Sequence, residues 1–184
     1  YFLLPSLLKK FQNETLDCLN IPKNKRLSSE KFRHIKAKEL IVTDHPVVIS
    51  GSATEGVQNI PKWVIVWLKD NFLNKNITTD KKNSKKIYID RNDATFNNLL
   101  HRSITNEDEV KRYLLKNNFV SVKLHEINFK EQVDLFNKAE CVVGLHGAGF
   151  ANIIFCKPGT KVIELKNSNA GPMYENVAKK NDLN

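Results

Sequence analysis

Methionine occurs once in these 184 residues and cysteine only three times. Cys18, Cys141 and Cys156 form no C-x-x-C pair, and an odd, widely spaced set supports neither a zinc site nor a disulfide framework. Cys141 in a strand pattern and Cys156 at the end of a helical one read as small buried hydrophobes. No apolar run reaches the roughly 18 residues of a membrane-spanning helix, and no secretory signal pattern opens the chain. Carboxylates are in deficit, 20 Asp and Glu against 29 Lys and Arg for a net charge of +9, and no D-x-D pair suggests a loop-held metal. The positive surplus points to an anionic partner, and nucleic acid, an anionic membrane surface and a nucleotide-sugar all fit. The lysines are dispersed outside Lys81-Lys82 and Lys85-Lys86, with no interleaved aromatics, which argues against a nucleic-acid-binding face. A hydrophobic content of 41% and a charged content of 27% are those of a globular chain, here one large domain or two small ones.

Glycine is scarce too, seven in all, yet three stand in Gly144-Leu145-His146-Gly147-Ala148-Gly149. Before them, Cys141-Val142-Val143 is an apolar run without polar alternation, as in a strand buried on both faces of a parallel sheet. After them, Phe150, Ile153 and Ile154 recur at helical spacing, Pro158-Gly159 breaks the chain, and Lys161 to Leu165 reads as a strand. The order is that of a βαβ unit. Small residues let backbone approach a ligand closely, and N–H groups at a helix start attract anions, so a phosphate-bearing ligand at residues 147–150 is the first functional expectation. The spacing matches neither G-x-x-x-x-G-K-[ST] nor G-x-G-x-x-G, so this is neither a Walker loop nor a dinucleotide fingerprint. A tight turn that needs glycine for packing alone is the bland alternative.

The other segments fall in line around this unit. Residues 1–20 read as an amphipathic helix through Leu3, Leu4, Leu7, Leu8 and Phe11. Residues 31–38 are basic, a short helix or irregular, and Glu39-Leu40-Ile41-Val42 reads as a strand before the turn-like Thr43-Asp44-His45-Pro46. Pro61 starts a helix with Trp63, Val64, Trp67 and Leu68 on one face, and the Asn- and Lys-rich residues 71–86 read as a linker. Two parts are therefore expected, 1–74 and 75–184. In the second, Ile87-Tyr88-Ile89 is a strand, Asn106 and Glu109 open a helix, and Val120, Val122 and Leu124 alternate as a strand. Asn128 with Glu131 caps a helix through Phe129, Val133 and Phe136, and a last helix follows Pro172. Fourfold alternation of strand and helix predicts a Rossmann-like parallel sheet with helices on both faces. Arg91, just after its strand, would then share the carboxyl edge with the glycine loop, where a guanidinium holds a phosphate or pairs with a neighbour such as Asp93. Glu164, at the last strand's end, either accepts from ribose hydroxyls or is solvated.

These placed residues resemble glycosyltransferase family 61. The resemblance rests on Ile87-Tyr88-Ile89-Asp90-Arg91, Ile104-Thr105-Asn106-Glu107, Phe129-x-Glu131-Gln132-Val133 and, above all, the run Gly144-x-His146-Gly147-Ala148-Gly149-x-x-Asn152 continuing through Phe155, Pro158-Gly159-Thr160 and Val162-Ile163-Glu164-Leu165. It is dense over residues 85–166 and weaker over Ala37-x-Glu39-Leu40-Ile41-Val42 and Trp63-Val64-Ile65-x-Trp67-Leu68. It implies the donor half of a GT-B-type enzyme with part of the N-terminal, acceptor-side half, and sugar transfer with inversion from a nucleotide-sugar, UDP-linked by expectation, to a glycan or protein hydroxyl. By position, Arg91 and Arg102 would hold the diphosphate, and His146 with Gly147, Ala148 and Gly149 would form the phosphate-facing loop. Asn152 would support the loop and Glu164 would meet the ribose. No cofactor or metal is implied. Asp90 stands where the family usually has Ser, which places a carboxylate beside the expected phosphate ligand. His146 has three readings: donor to a phosphate oxygen, general base, or structural histidine. Asp44 and His45 are candidates for the base. A non-catalytic nucleotide- or sugar-binding module and a basic nucleic-acid-binding protein are the rival functions, and peripheral membrane association stays open. The chain starts at Tyr1 rather than Met and reads as a piece of something longer. A bacterial cytoplasmic enzyme is expected, with a Golgi or endoplasmic-reticulum lumenal fragment as the alternative. Asn13-Glu14-Thr15 and Asn76-Ile77-Thr78 fit glycosylation sequons that an Asn-rich chain produces by chance.

Overall fold

A computed structural model describes residues 1–6, 8–43, 60–73, 85–91, 95–96, 99–100 and 104–184. At the N-terminal end, strand β1 (Phe2–Leu4) pairs in parallel with β2 (Arg26–Ser28), and helix α1 (Lys10–Cys18) lies between them in the chain. The helix expected over residues 1–20 is thus shorter. Pro5 biases Leu4 toward extended backbone, and pairing with Leu27 and Ser28 then takes up the backbone groups of Leu3 and Leu4. Residues 31–38 are irregular, and the strand expected at residues 39–42 does not form. Leu40, Ile41 and Val42 are 74%, 82% and 79% exposed, and no described strand runs beside them to supply a ladder.

Helix α2 (Lys62–Phe72) follows Pro61, as proline at a helix start predicts. Its buried stripe is Ile65, Leu68 and Phe72, whereas Trp63 and Trp67 are 60% and 45% exposed. The expected face therefore holds for Leu68 and fails for the two tryptophans. Apolar residues surround this helix, so periodicity offers two stripes and only the neighbours select one. Residue 74, the expected boundary, lies outside the described residues, and α2 packs into the same core as the sheet that follows.

The C-terminal part alternates as predicted. It runs β3 (Lys85–Ile89), a short antiparallel pair β4 (Thr95–Phe96) and β5 (Leu99–Leu100), α3 (Glu107–Lys116), β6 (Phe119–Val122), α4 (Phe129–Asn137), β7 (Ala139–Leu145), a 3-10 helix (Ala148–Phe155), β8 (Lys161–Leu165) and α5 (Met173–Lys180). Four of these strands form one parallel sheet in the order β6-β3-β7-β8. On one face Ile87, Ile89 and Val142 meet Ile65 of α2, Val133 and Phe136 of α4, Phe150 and Ile153 of the 3-10 helix and Val177 of α5. On the other, Tyr88, Cys141 and Val143 meet Val110 and Leu114 of α3. The capping box of α4 is complete: Asn128 accepts from the Glu131 amide at 2.9 Å, and Glu131 accepts from the Asn128 amide at 2.7 Å.

Two expected elements change form. β6 stops at Val122, and Leu124 turns into a 3-10 segment (Leu124–Glu126), since an edge strand has a ladder on one side only. The helix after the glycine loop is 3-10 rather than α over its eight residues. At about 2 Å of rise per residue that winding spans roughly 16 Å, the length of a five-residue strand, and so returns the chain to the start of β8.

Candidate active site

Strand order locates the site. β3 connects to β6 on one edge, and the chain then crosses back so that β7 pairs with the other edge of β3. The order reverses between β3 and β7, and in open α/β sheets ligands bind at the carboxyl ends of strands beside such a reversal. Arg91 lies just beyond β3, and His146 lies directly beyond β7. The structure brings them together: Arg91 Nη1 donates to the carbonyl oxygen of His146 at 2.9 Å. The guanidinium presses on Gly147 so closely that a Cβ there would fall 1.3 Å from Nη1. Glycine is required by this approach. Phe150 N donates to Gly147 O at 2.9 Å and opens the 3-10 helix, so the amides of Ala148 and Gly149 precede its first internal bond.

Leu165, Glu164 and Tyr174 also hold His146. Its amide donates to Leu165 O at 2.7 Å, extending the ladder between β7 and β8. Its Nδ1 is 2.6 Å from Glu164 Oε1, and its ring centroid is 5.4 Å from that of Tyr174 on α5. Glu164 Oε2 is in turn 3.8 Å from Lys166 Nζ. A fixed cation, an imidazole and a run of backbone donors at one sheet edge suit a phosphorylated ligand.

Comparison with known proteins supplies the class. A family model described as glycosyltransferase 61 matches residues 2–163. The chain belongs to glycosyltransferase family 61. The match begins at residue 2 and takes in the N-terminal segments as well as residues 85–163. No curated protein matches the chain. Membership makes the chain a glycosyltransferase by class, with a sugar donor and an acceptor as its substrates.

In this family 61 chain the carboxylate at position 90 is engaged by Lys111 and Ser121 rather than by Arg91. Successive side chains alternate across the sheet, so Asp90 rises on the Tyr88 face, where Lys111 Nζ of α3 lies 2.9 Å away and Ser121 Oγ donates at 3.3 Å. Glu107 completes the cluster, 3.5 Å from Lys111 and accepting from the Tyr88 hydroxyl at 3.0 Å. Burial, then the bond to Glu107, raises the Tyr88 hydroxyl well above its usual range. Burial alone would lower Lys111, but the bonds and charges of Asp90 and Glu107 outweigh it and raise the ammonium.

Asn152 ties the loop down. Its Nδ2 donates to Gly149 O at 3.2 Å and to Gln132 Oε1 at 3.1 Å, and Gln132 donates onward to Leu124 O at 2.9 Å. Arg102, Asp44, His45 and Asp93 lie outside the described residues. Among the described residues no three His, Cys, Asp or Glu side chains gather as a metal site, and no helix is long and apolar enough to cross a membrane. Sequence reasoning missed the roles of Gln132, Lys111 and Tyr174. Gln132 stood inside the quoted Phe129-x-Glu131-Gln132-Val133 run and so had a signal; Lys111 and Tyr174 had none.

Proposed function

We propose that this chain transfers a sugar from a nucleoside-diphosphate sugar, with uridine as the base, to a hydroxyl acceptor with inversion at the anomeric carbon. The observation that carries the reading is the convergence of Arg91 with the loop amides at the β3/β7 reversal, where Nη1 lies 2.9 Å from His146 O. In the displacement, the acceptor oxygen bonds to C1 as the bond from C1 to the β-phosphate oxygen breaks, and the acceptor's proton passes to a general base. Negative charge then grows on the departing diphosphate. Arg91 and the amides of residues 147–149 meet that charge with dipoles oriented beforehand, so the reading assigns no metal. Residues 75–184 act as the donor half of a GT-B-type enzyme, preceded by part of the acceptor half.

Calorimetric titration with a panel of nucleoside diphosphates tests this. UDP is expected to bind the wild type at roughly micromolar concentration, within the usual range for enzyme substrates. Loss of one such donor costs about 3–4 kcal/mol of barrier, so Arg91→Ala should lower turnover roughly 100- to 1,000-fold and abolish measurable UDP binding. Equal indifference of the wild type to every nucleotide would overturn the reading.

A further inference from the structure

Glu164 occupies the strand-end position from which acidic residues reach ribose in dinucleotide folds. Its surroundings direct it elsewhere. The ladder sets Glu164 of β8 opposite Gly144 of β7, two residues before His146, so both side chains rise at the same edge on a backbone the sheet holds rigid. Oε1 lies 2.6 Å from His146 Nδ1, with the two side chains only 11% and 19% exposed, so water competes weakly for either. Oε2 faces Lys166 at 3.8 Å, and Lys166 also reaches Glu175 at 3.9 Å. Each carboxylate oxygen is thus engaged by the protein itself. Behind the imidazole stands the Tyr174 ring, only 6% exposed and itself packed 5.6 Å from the Phe150 ring, which limits rotation of the histidine.

We infer that Glu164 is a positioning residue for His146: it fixes the proton on Nδ1 and the plane of the ring, and acts on the donor through that ring rather than by binding ribose. This rests on the diphosphate reading of the loop. A carboxylate accepting from Nδ1–H leaves Nε2 as the nitrogen whose lone pair or added proton does the ring's chemistry. When the ring is an imidazolium, Nε2–H is a donor for a diphosphate oxygen; when it is neutral, Nε2 is a proton acceptor. Glu164 is compatible with both and selects against the neutral tautomer with its proton on Nε2, whose bare Nδ1 would face the carboxylate.

The experiment combines ligand-free nitrogen-15 spectra of the His146 ring with titration of UDP and of 2′,3′-dideoxyuridine diphosphate. The variants are Glu164→Leu, Glu164→Gln, His146→Ala and the double Glu164→Leu/His146→Ala. In the wild type Nδ1 should carry the proton. Glu164→Leu should redistribute it toward Nε2, and Glu164→Gln, whose amide oxygen still accepts, should restore it. Glu164→Leu should weaken UDP roughly 10-fold or more, the usual scale for a residue that orients a ligand, by the same factor for the dideoxy nucleotide. It should have no further effect in the His146→Ala background. A penalty that vanishes with the dideoxy nucleotide, or persists without His146, would overturn the inference in favour of a direct ribose contact. If the wild type binds no nucleoside diphosphate, the transferase reading fails on its own, and an unchanged His146 tautomer in Glu164→Leu still decides against Glu164.

Discussion

Adding one methyl group at Gly147 separates the loop's chemistry from its fold. A Cβ there would lie 1.3 Å from Arg91 Nη1, 2.5 Å from Cζ and 3.2 Å from Nη2. The obstacle is the tip of a flexible side chain rather than backbone, so in Gly147→Ala the guanidinium swings away and its bond to His146 O is lost. A hydrogen bond to a charged group contributes about 1.5–3 kcal/mol when buried. Arg91 is only half-buried and water replaces part of the bond, so that loss is about 1 kcal/mol; the φ of +159° at Gly147, which side chains rarely adopt, adds about 1–3 kcal/mol of strain. Function should suffer as well. With the cation displaced, the loss approaches that of Arg91→Ala, about 3–4 kcal/mol or roughly 100- to 1,000-fold in turnover. Gly159→Ala is the control: nothing lies within 4 Å of its Cβ, but its φ of +80° penalises any side chain. That variant should lose about 1–2 kcal/mol of stability and keep its UDP affinity. Melting curves and UDP titrations on both variants decide the matter. A Gly147→Ala protein that binds UDP like the wild type, or a Gly159→Ala protein that loses as much affinity, would refute the reasoning.

Two further outcomes follow from the buried groups. Burial pushes the Cys156 thiol up to about 12 from 9.0, so above about pH 9 the unfolded chain releases a proton that the folded chain retains. Stability should hold up to about pH 9 and then fall by up to about 1.4 kcal/mol per pH unit, a slope that urea unfolding of Cys156→Ala should show reduced. Lys111→Met leaves Asp90, 7% exposed, without its ammonium partner and should cost about 3–5 kcal/mol in urea unfolding. Adding Asp90→Asn to Lys111→Met should recover part of that loss, and no recovery would count against charge as its source.

Much of the fold was legible because its signals are local. The apolar run of β7, the box of Asn128 and Glu131 that starts α4, and the Pro158-Gly159 break before β8 each act within a few residues, where backbone preference and capping operate without help. The meeting of the glycine loop and Arg91 at one sheet edge was legible for the same reason, since residue type and strand position suffice to suggest it. What the tertiary structure decided depends on neighbours distant in the chain. Ile65 rather than Trp63 faces inward because α4 and the 3-10 helix lie on that side, and residues 39–42 form no strand because no described ladder adjoins them. The reversal at β3 and β7 is set by which edges pair, and edge pairing uses backbone groups that every residue shares. The contact of Glu164 with His146 needs two strands in register, and the pairing of Asp90 with Lys111 needs a helix laid on the far face. Residue identity sets what each group can do, and only packing across the sheet sets which group it meets.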